Sequence, residues 1–159
     1  MRLARRCHCA YLRLDTLEQG LREVCGLAVE GEGYRLAYRL AGDLLDSGSR
    51  VVVDCCNPWE LTRCEWEEVA RRRGLPFADV EVVCSDPFEH RRRIETRTAK
   101  IPGLVLPTWE EVLARRYDPW SLPHLRLDTA RRGIDACVDE LVAKLQIGSV
   151  PAHDGEGMA

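Results

Sequence analysis

Between Arg50 and Trp66 the chain reads RVVVDCCNPWELTRCEW. Val51, Val52 and Val53 are consecutive β-branched residues, the pattern of a strand buried on both faces, as in parallel sheets. The run ends in Asp54. Three residues on, Asn57-Pro58-Trp59-Glu60 has the order of a helix start, with Asn as N-cap, Pro at the first helical position and Glu at the third. Strand, acid and helix in immediate succession put Asp54 at the carboxyl end of a strand, the edge where open α/β sheets bind ligands.

The alternation continues on both sides of this segment. Upstream, Arg2–Cys9 reads as the end of a helix and Ala10–Leu14 (AYLRL) as a short strand. Asp15-Thr16-Leu17-Glu18 then reads as the cap of a helix running to about Val24. Gly26–Gly33 is a loop. Gly33–Asp46 is an amphipathic helix, with Leu36, Leu40, Leu44 and Ala37, Ala41, Leu45 making an apolar stripe. Downstream, the helix begun at Pro58 runs to Arg73 and stops at Gly74. Val80–Cys84 is a second buried strand. Asp86-Pro87-Phe88-Glu89 opens a helix that carries Arg91, Arg92, Arg93 and Arg97. After the Pro102–Pro107 loop, Thr108-Trp109-Glu110-Glu111 is a capping box for a helix to about Tyr117. Leu125–Leu127 is the last strand and Ile134–Leu145 the last helix. The Gly-rich, polar stretch Gln146–Ala159 is expected to be disordered.

Strands alternating with helices predict an α/β fold of three layers, a parallel sheet with helices on both faces, in one domain over residues 1–145. Asp15, Asp54 and Ser85-Asp86 close three of the four strands, so the carboxyl edge is acidic and polar.

Composition narrows the classes. The chain has 159 residues, 45% hydrophobic and 31% charged, with a net charge of −3. No basic field argues for nucleic acid. No apolar run approaches the ~20 residues that span a membrane, and Met1–Arg6 lacks the apolar core of a secretory signal. Eight cysteines are present without any C-x-x-C. Cys7-His8-Cys9 and Cys55-Cys56 are spaced too closely for paired tetrahedral ligation, leaving Cys7-His8-Cys9 a weak metal candidate. Reduced thiols of a cytoplasmic protein are expected.

Several side chains have both a chemical and a plain structural explanation. Asp15 is a general base for a substrate hydroxyl or a helix cap. Asp54 is a Mg²⁺ carboxylate or simply the end of an apolar strand. For Asn57 the N-cap is favoured. Arg63 contacts a substrate phosphate, pairs with Asp54 or lies on a solvated helix face. The Arg91–Arg97 cations, with Arg93 and Arg97 on one face, serve a phosphoryl-transfer site or a solvated helix.

In their order, the segments YLRLDTLE, VVVDCCNPWELTRCEWEEVARRRG, VEVVCSDPFEHRRRIETR and LRLDTARR resemble the small P-loop kinases related to polynucleotide kinase, zeta toxin and chloramphenicol phosphotransferase, a group often called AAA-family ATPases. The resemblance runs from about Arg2 to Leu145. It implies a P-loop NTPase-like sheet of order 2-3-1-4-5 and an ATP-dependent kinase acting on a hydroxyl of a small molecule or a nucleic-acid end. Asp15 would be the catalytic base, with Asp54 on the metal side, Asn57 and Arg63 towards the acceptor, and Arg92 and Arg97 as lid cations on the ATP phosphates. Thr129 and Arg131 would flank the adenine. ATP and Mg²⁺ are the implied cofactors, and nucleotide plus a small hydroxyl-bearing acceptor the implied partners.

The chain departs from that group in one respect. No G-x-x-x-x-G-K-[ST] occurs, and the only lysines are Lys100 and Lys144. That motif supplies the phosphate cradle, the phosphate lysine and the Mg²⁺ hydroxyl. Strand 1 of the implied sheet is therefore expected to be missing between Val51–Val53 and Val80–Cys84, and the chain as it stands to be inactive. About 20 residues upstream of Met1, one strand and its loop, would restore it. The alternative is a P-loop-less relative acting as a binding or interaction module.

Overall fold

A computed structural model describes residues 1–146; the rest of the tail expected to be disordered lies outside the described residues. In chain order the elements are α1 (Arg2–Arg6), β1 (Ala10–Arg13), α2 (Leu14–Cys25), α3 (Glu32–Asp46), β2 (Val51–Asp54), α4 (Glu60–Arg71), β3 (Val80–Val83), α5 (Pro87–Thr96), α6 (Trp109–Ala114), β4 (Leu125–Asp128) and α7 (Ile134–Lys144). The fold is mixed α/β with parallel pairing. β1 runs parallel to β2, from Ala10 opposite Val51 to Arg13 opposite Asp54. β3 runs parallel to β4, from Val80 opposite Leu125 to Val83 opposite Asp128. No ladder joins the two ribbons among the described residues.

Each ribbon has its own core. Leu12 and Leu14 pack against Ala37 and Ala41 of α3, with Val51, Val53 and Trp66 around them. The two alanines, one turn apart, let α3 lie close to the strands. Leu127, Cys137 and Leu141 form the second cluster, with Leu3 and Val80 against it. α1 packs on both β2 and α7, and Arg2 and Arg6 pair with Asp135 and Asp139 of α7 at 2.8 and 3.1 Å.

The strands are less buried than their composition predicts. Val51, Val52 and Val53 are only half-buried, and Val82 is 63% exposed. The physical reason is that each strand is paired along one edge only, so burial on both faces of a sheet interior is not reached. No helix among the described residues is long and apolar enough to cross a membrane.

Helix starts divide by what holds them. Asp86 caps α5, accepting from the amides of Phe88 and Glu89 with Pro87 behind it. Thr108 and Glu111 form the full reciprocal capping box on α6, which ends at Ala114, before Tyr117. Asn57 is not an N-cap: α4 starts at Glu60 with Trp59 as N-cap. The carbonyls of Asn57 and Pro58 are drawn instead to Arg63, which keeps both residues outside the helix. Nor does Asp15 cap α2, which begins at Leu14 with Arg13 as N-cap. Arg97 lies at the C-cap of α5 with extended backbone, so it does not share a helical face with Arg93.

Candidate active site

The β1–β2 register sets Arg13 and Asp54 side by side at the carboxyl end of the ribbon. Asp15 follows two residues later, its carboxylate 3.6 Å from the Arg13 guanidinium. Tyr11 lies on β1 two residues before Arg13, and its hydroxyl donates to the Asp54 carboxylate. Burial, then the hydrogen bond and charge of Asp54, push the Tyr11 phenol up to about 12, so it stays a donor. Cys55 is pushed up to about 12, first by burial and then by Asp54, with Asp15 also contributing. Its thiol is therefore a neutral packing group. Both carboxylates thus act on the same small region, at one edge of the ribbon. The Asp15 side chain is half-exposed.

Asp54 suits Mg²⁺ in a limited way. Magnesium keeps several waters and takes one or two protein carboxylates beside substrate phosphates. An exposed carboxylate with Oδ1 uncommitted fits that share; Oδ2 is taken by Tyr11. Among the described residues no cluster of three or more acidic, histidine or cysteine ligands would hold a metal alone.

The region after β2 is organised by Arg63. This residue is 2% exposed. Its Nε donates to the Asn57 carbonyl at 3.0 Å, Nη1 to Pro119 at 3.1 Å, and Nη2 to Pro58 at 3.2 Å and Asp118 at 2.8 Å. Its guanidinium carbon is 4.9 Å from the Tyr117 ring centre and 4.2 Å from that of Trp120. Neither the solvated face nor the Asp54 pair expected of Arg63 is present, because carbonyls and rings take up the cation. Asn57 is turned inward as well, its Oδ1 accepting from Thr62 at 2.6 Å.

The α5 side is tied together by Arg93, not by Arg92 or Arg97, the cations that the resemblance implies. Arg93 donates to the Thr129 hydroxyl and carbonyl, both at 2.9 Å, and to Glu89 at 2.6 Å. Thr129 donates in turn to the Val83 carbonyl at 2.7 Å, so its hydroxyl is committed to the fold. Arg131 pairs with Asp86 at 3.3 Å, and its amide donates to Glu89 at 2.8 Å. A hollow of about 520 Å³ lies here, lined by Asp86, Phe88, Asp128 and Arg131. Hydrogen bonds from Ser85, then Ala130, hold the Asp128 carboxyl down at about 2. Arg92 is exposed, 3.9 Å from Glu89. Arg97 lines a second hollow of about 350 Å³ with Trp109 and Glu110. Neither arginine bonds to Asp15 or Asp54 among the described residues.

The loop beyond Arg97 nevertheless reaches the Asp15 side. Gly103 has φ +71°, and a Cβ there would lie 2.5 Å from Glu23 Oε1 and 2.8 Å from Gln19 Nε2. The loop therefore rests on α2, the helix whose first turn carries Asp15. Tyr11 and Arg13 were missed by the sequence reasoning, although the period-two alternation of AYLRLD put both on the face of Asp15.

No family model and no curated protein matches the chain. Solved structures do. APS kinase of Mycobacterium tuberculosis, solved with AMPPNP and APS, superposes with a TM-score of 0.65 at 23% identity, over 91% of this chain and 86% of that one. A Chloroflexus aurantiacus j-10-fl protein assigned as a kinase gives 0.58 at 16% identity, over 92% and 86%. A gluconokinase from Sinorhizobium meliloti 1021 gives 0.55 at 18% identity, over 94% and 87%. At these identities the likeness is one of fold alone, a mixed α/β fold with parallel strands that the chain shares with these kinases.

Proposed function

We propose that the chain forms the acceptor and lid side of an ATP-dependent kinase that phosphorylates a hydroxyl of a small molecule or a nucleic-acid end, in the cytoplasm. The observation that carries this is the convergence of Asp15 and Asp54 at one carboxyl edge of parallel strands. Asp15, steadied by Arg13, accepts the acceptor proton. Asp54 is the protein ligand on which Mg²⁺ would rest; when bound, the metal supplies neutralisation of charge on the phosphoryl oxygens. Arg92 and Arg97 are cations for the phosphates. Arg131 borders the hollow that suits adenine, with Thr129 acting there through Arg93. Asn57 stands on the acceptor side, and Arg63 fixes the loop that carries it.

The phosphate cradle is not among these residues. β2 and β3 each keep an edge that no described strand pairs; a further strand and glycine loop placed between them is the arrangement proposed, of order 2-3-1-4-5. The 159 residues by themselves are expected to transfer no phosphate.

The test is titration of a fluorescent ATP analogue against this chain and against a version extended at its N-terminus by a designed apolar strand and G-x-x-x-x-G-K-[ST] loop. Binding is expected only for the extended protein. In that protein Asp15→Asn should abolish transfer while nucleotide still binds. An extended protein that binds no nucleotide would favour the P-loop-less binding module instead.

A further inference from the structure

Away from the carboxyl edge, two acids meet where the fold offers no donor between them. Glu67 of α4 is 2% exposed. Asp79, which leads into β3, turns its carboxyl within hydrogen-bonding reach of it. Asp79 Oδ2 is buried and meets no hydrogen-bond donor among the described residues. Facing carboxyls are accommodated when a proton lies between them.

The neighbouring charges do not replace that proton. Arg71, on the same helix, donates to Glu67 from a half-exposed position. Arg63 favours an ionised Asp79 through its charge, but four of its five N–H donors go to carbonyls. His124, from the segment before β4, faces Asp79 and lies 3.7 Å from Glu81 Oε2. Glu81 also takes Arg126 at 3.3 Å and the Tyr117 hydroxyl at 3.2 Å.

We propose that Glu67 and Asp79 form a proton-sharing clasp that fastens the α4–β3 connection and the segment 115–124, closed in acid and loosened as the pH rises. The connection to that segment is physical at both ends. The Asp79 carbonyl accepts from the Leu125 amide at 2.8 Å, the bond that leads into the β3–β4 ladder. Arg63, one turn before Glu67, holds the carbonyls of Asp118 and Pro119. Nothing in the proposed phosphoryl transfer uses these acids.

Burial first, then Glu67, pushes the Asp79 carboxyl up to about 6. A raised value in the fold means that the protonated form is the stabilised one. The contribution is complete below the ordinary carboxylate value and is lost as the pH rises through about 6.

The test is urea unfolding of the full chain between about pH 5 and about pH 8, a range that brackets this titration. Asp79→Asn and Glu67→Gln are measured alongside, with hydrogen exchange of residues 115–125 corrected for intrinsic rates. The wild type should lose stability, and this segment protection, towards the upper end. Asp79→Asn should keep both, because its amide donates to Glu67 without a charge, so the two profiles diverge as the pH rises. Parallel profiles with unchanged protection would overturn the clasp. If Asp79→Asn does not fold, Glu67→Gln decides by the same criterion. A His124→Gln variant that alone removes the pH dependence would assign it to the imidazole and equally overturn the proposal.

Discussion

Tyr11 and Asp54 sit on neighbouring parallel strands and are joined through the phenol, which donates to the carboxylate. The other three tyrosines are also held neutral: burial raises Tyr34, Tyr38 and Tyr117 above the ordinary phenol value. The folded protein should therefore show less phenolate at pH 10, the ordinary midpoint, than unfolded chain does. The fold favours the protonated phenol, so this stabilisation is complete below that pH and declines as the pH rises through about 12 for Tyr11. Spectrophotometric titration checks it, and a tyrosine titrating with an ordinary midpoint in folded protein would contradict it. Tyr11→Phe should cost no more than about 1 kcal/mol, the net worth of one partly solvated hydrogen bond.

Arg63→Ala should be among the most damaging single changes. It strands the carbonyls of Asn57, Asp118 and Pro119, leaves Pro58 with the Asp118 amide alone, and removes the cation that contacts the Tyr117 and Trp120 rings. A loss of about 3 kcal/mol or more is expected in chemical denaturation. Arg63→Lys should recover little, since an ammonium cannot span that planar set of acceptors. Wild-type stability in Arg63→Lys would show that charge alone suffices.

Thr108→Ala removes half of the α6 capping box and should cost about 1 kcal/mol. The loss should be local, seen as faster amide exchange over 109–114 with β1 and β2 unaffected.

Gly103→Ala places a methyl group at a left-handed backbone position and against Glu23. The conformational cost is about 1 kcal/mol, and the loop should lift from α2, with faster exchange over 98–107. Adding Glu23→Ala relieves the contact but not the backbone strain, so the double variant should regain part of the protection. Full recovery would mean that the collision, not the φ angle, governs the site.

Much of the fold was legible because local rules and packing agreed. Asp86-Pro87 and Thr108–Glu111 start helices as their capping chemistry requires, and VVVD and VEVV are strands. The misreadings arose where a distant residue competed. Asn57-Pro58 has every local mark of a helix start, yet a cation one turn into the helix and the carbonyls of Asp118 and Pro119 hold it extended. Strand burial was overestimated because pairing along both edges was assumed from composition. At the candidate site, Asp15 and Asp54 are proposed from their position after strands, and their placement on one edge follows from the β1–β2 register. The partners Tyr11 and Arg13 carried a faint period-two signal, and Arg93 was indistinguishable from its neighbours until its contacts with Thr129 were known.

The guanidinium of Arg63 has a topological consequence. It ties the chain at Asn57-Pro58 to the chain at Asp118-Pro119, stretches more than fifty residues apart in sequence. All eight cysteines are unbridged, so no covalent link restrains that span. The planar cation closes it instead, together with the Asp118 amide that donates to the Pro58 carbonyl at 2.8 Å, doing the work of a cross-link while remaining reversible. Such a closure restrains the folded chain but, unlike a disulfide, leaves the denatured ensemble at its full entropy. It also breaks and re-forms without an oxidant. The loop beside Asp54 is thereby held by something that no change in redox conditions can open.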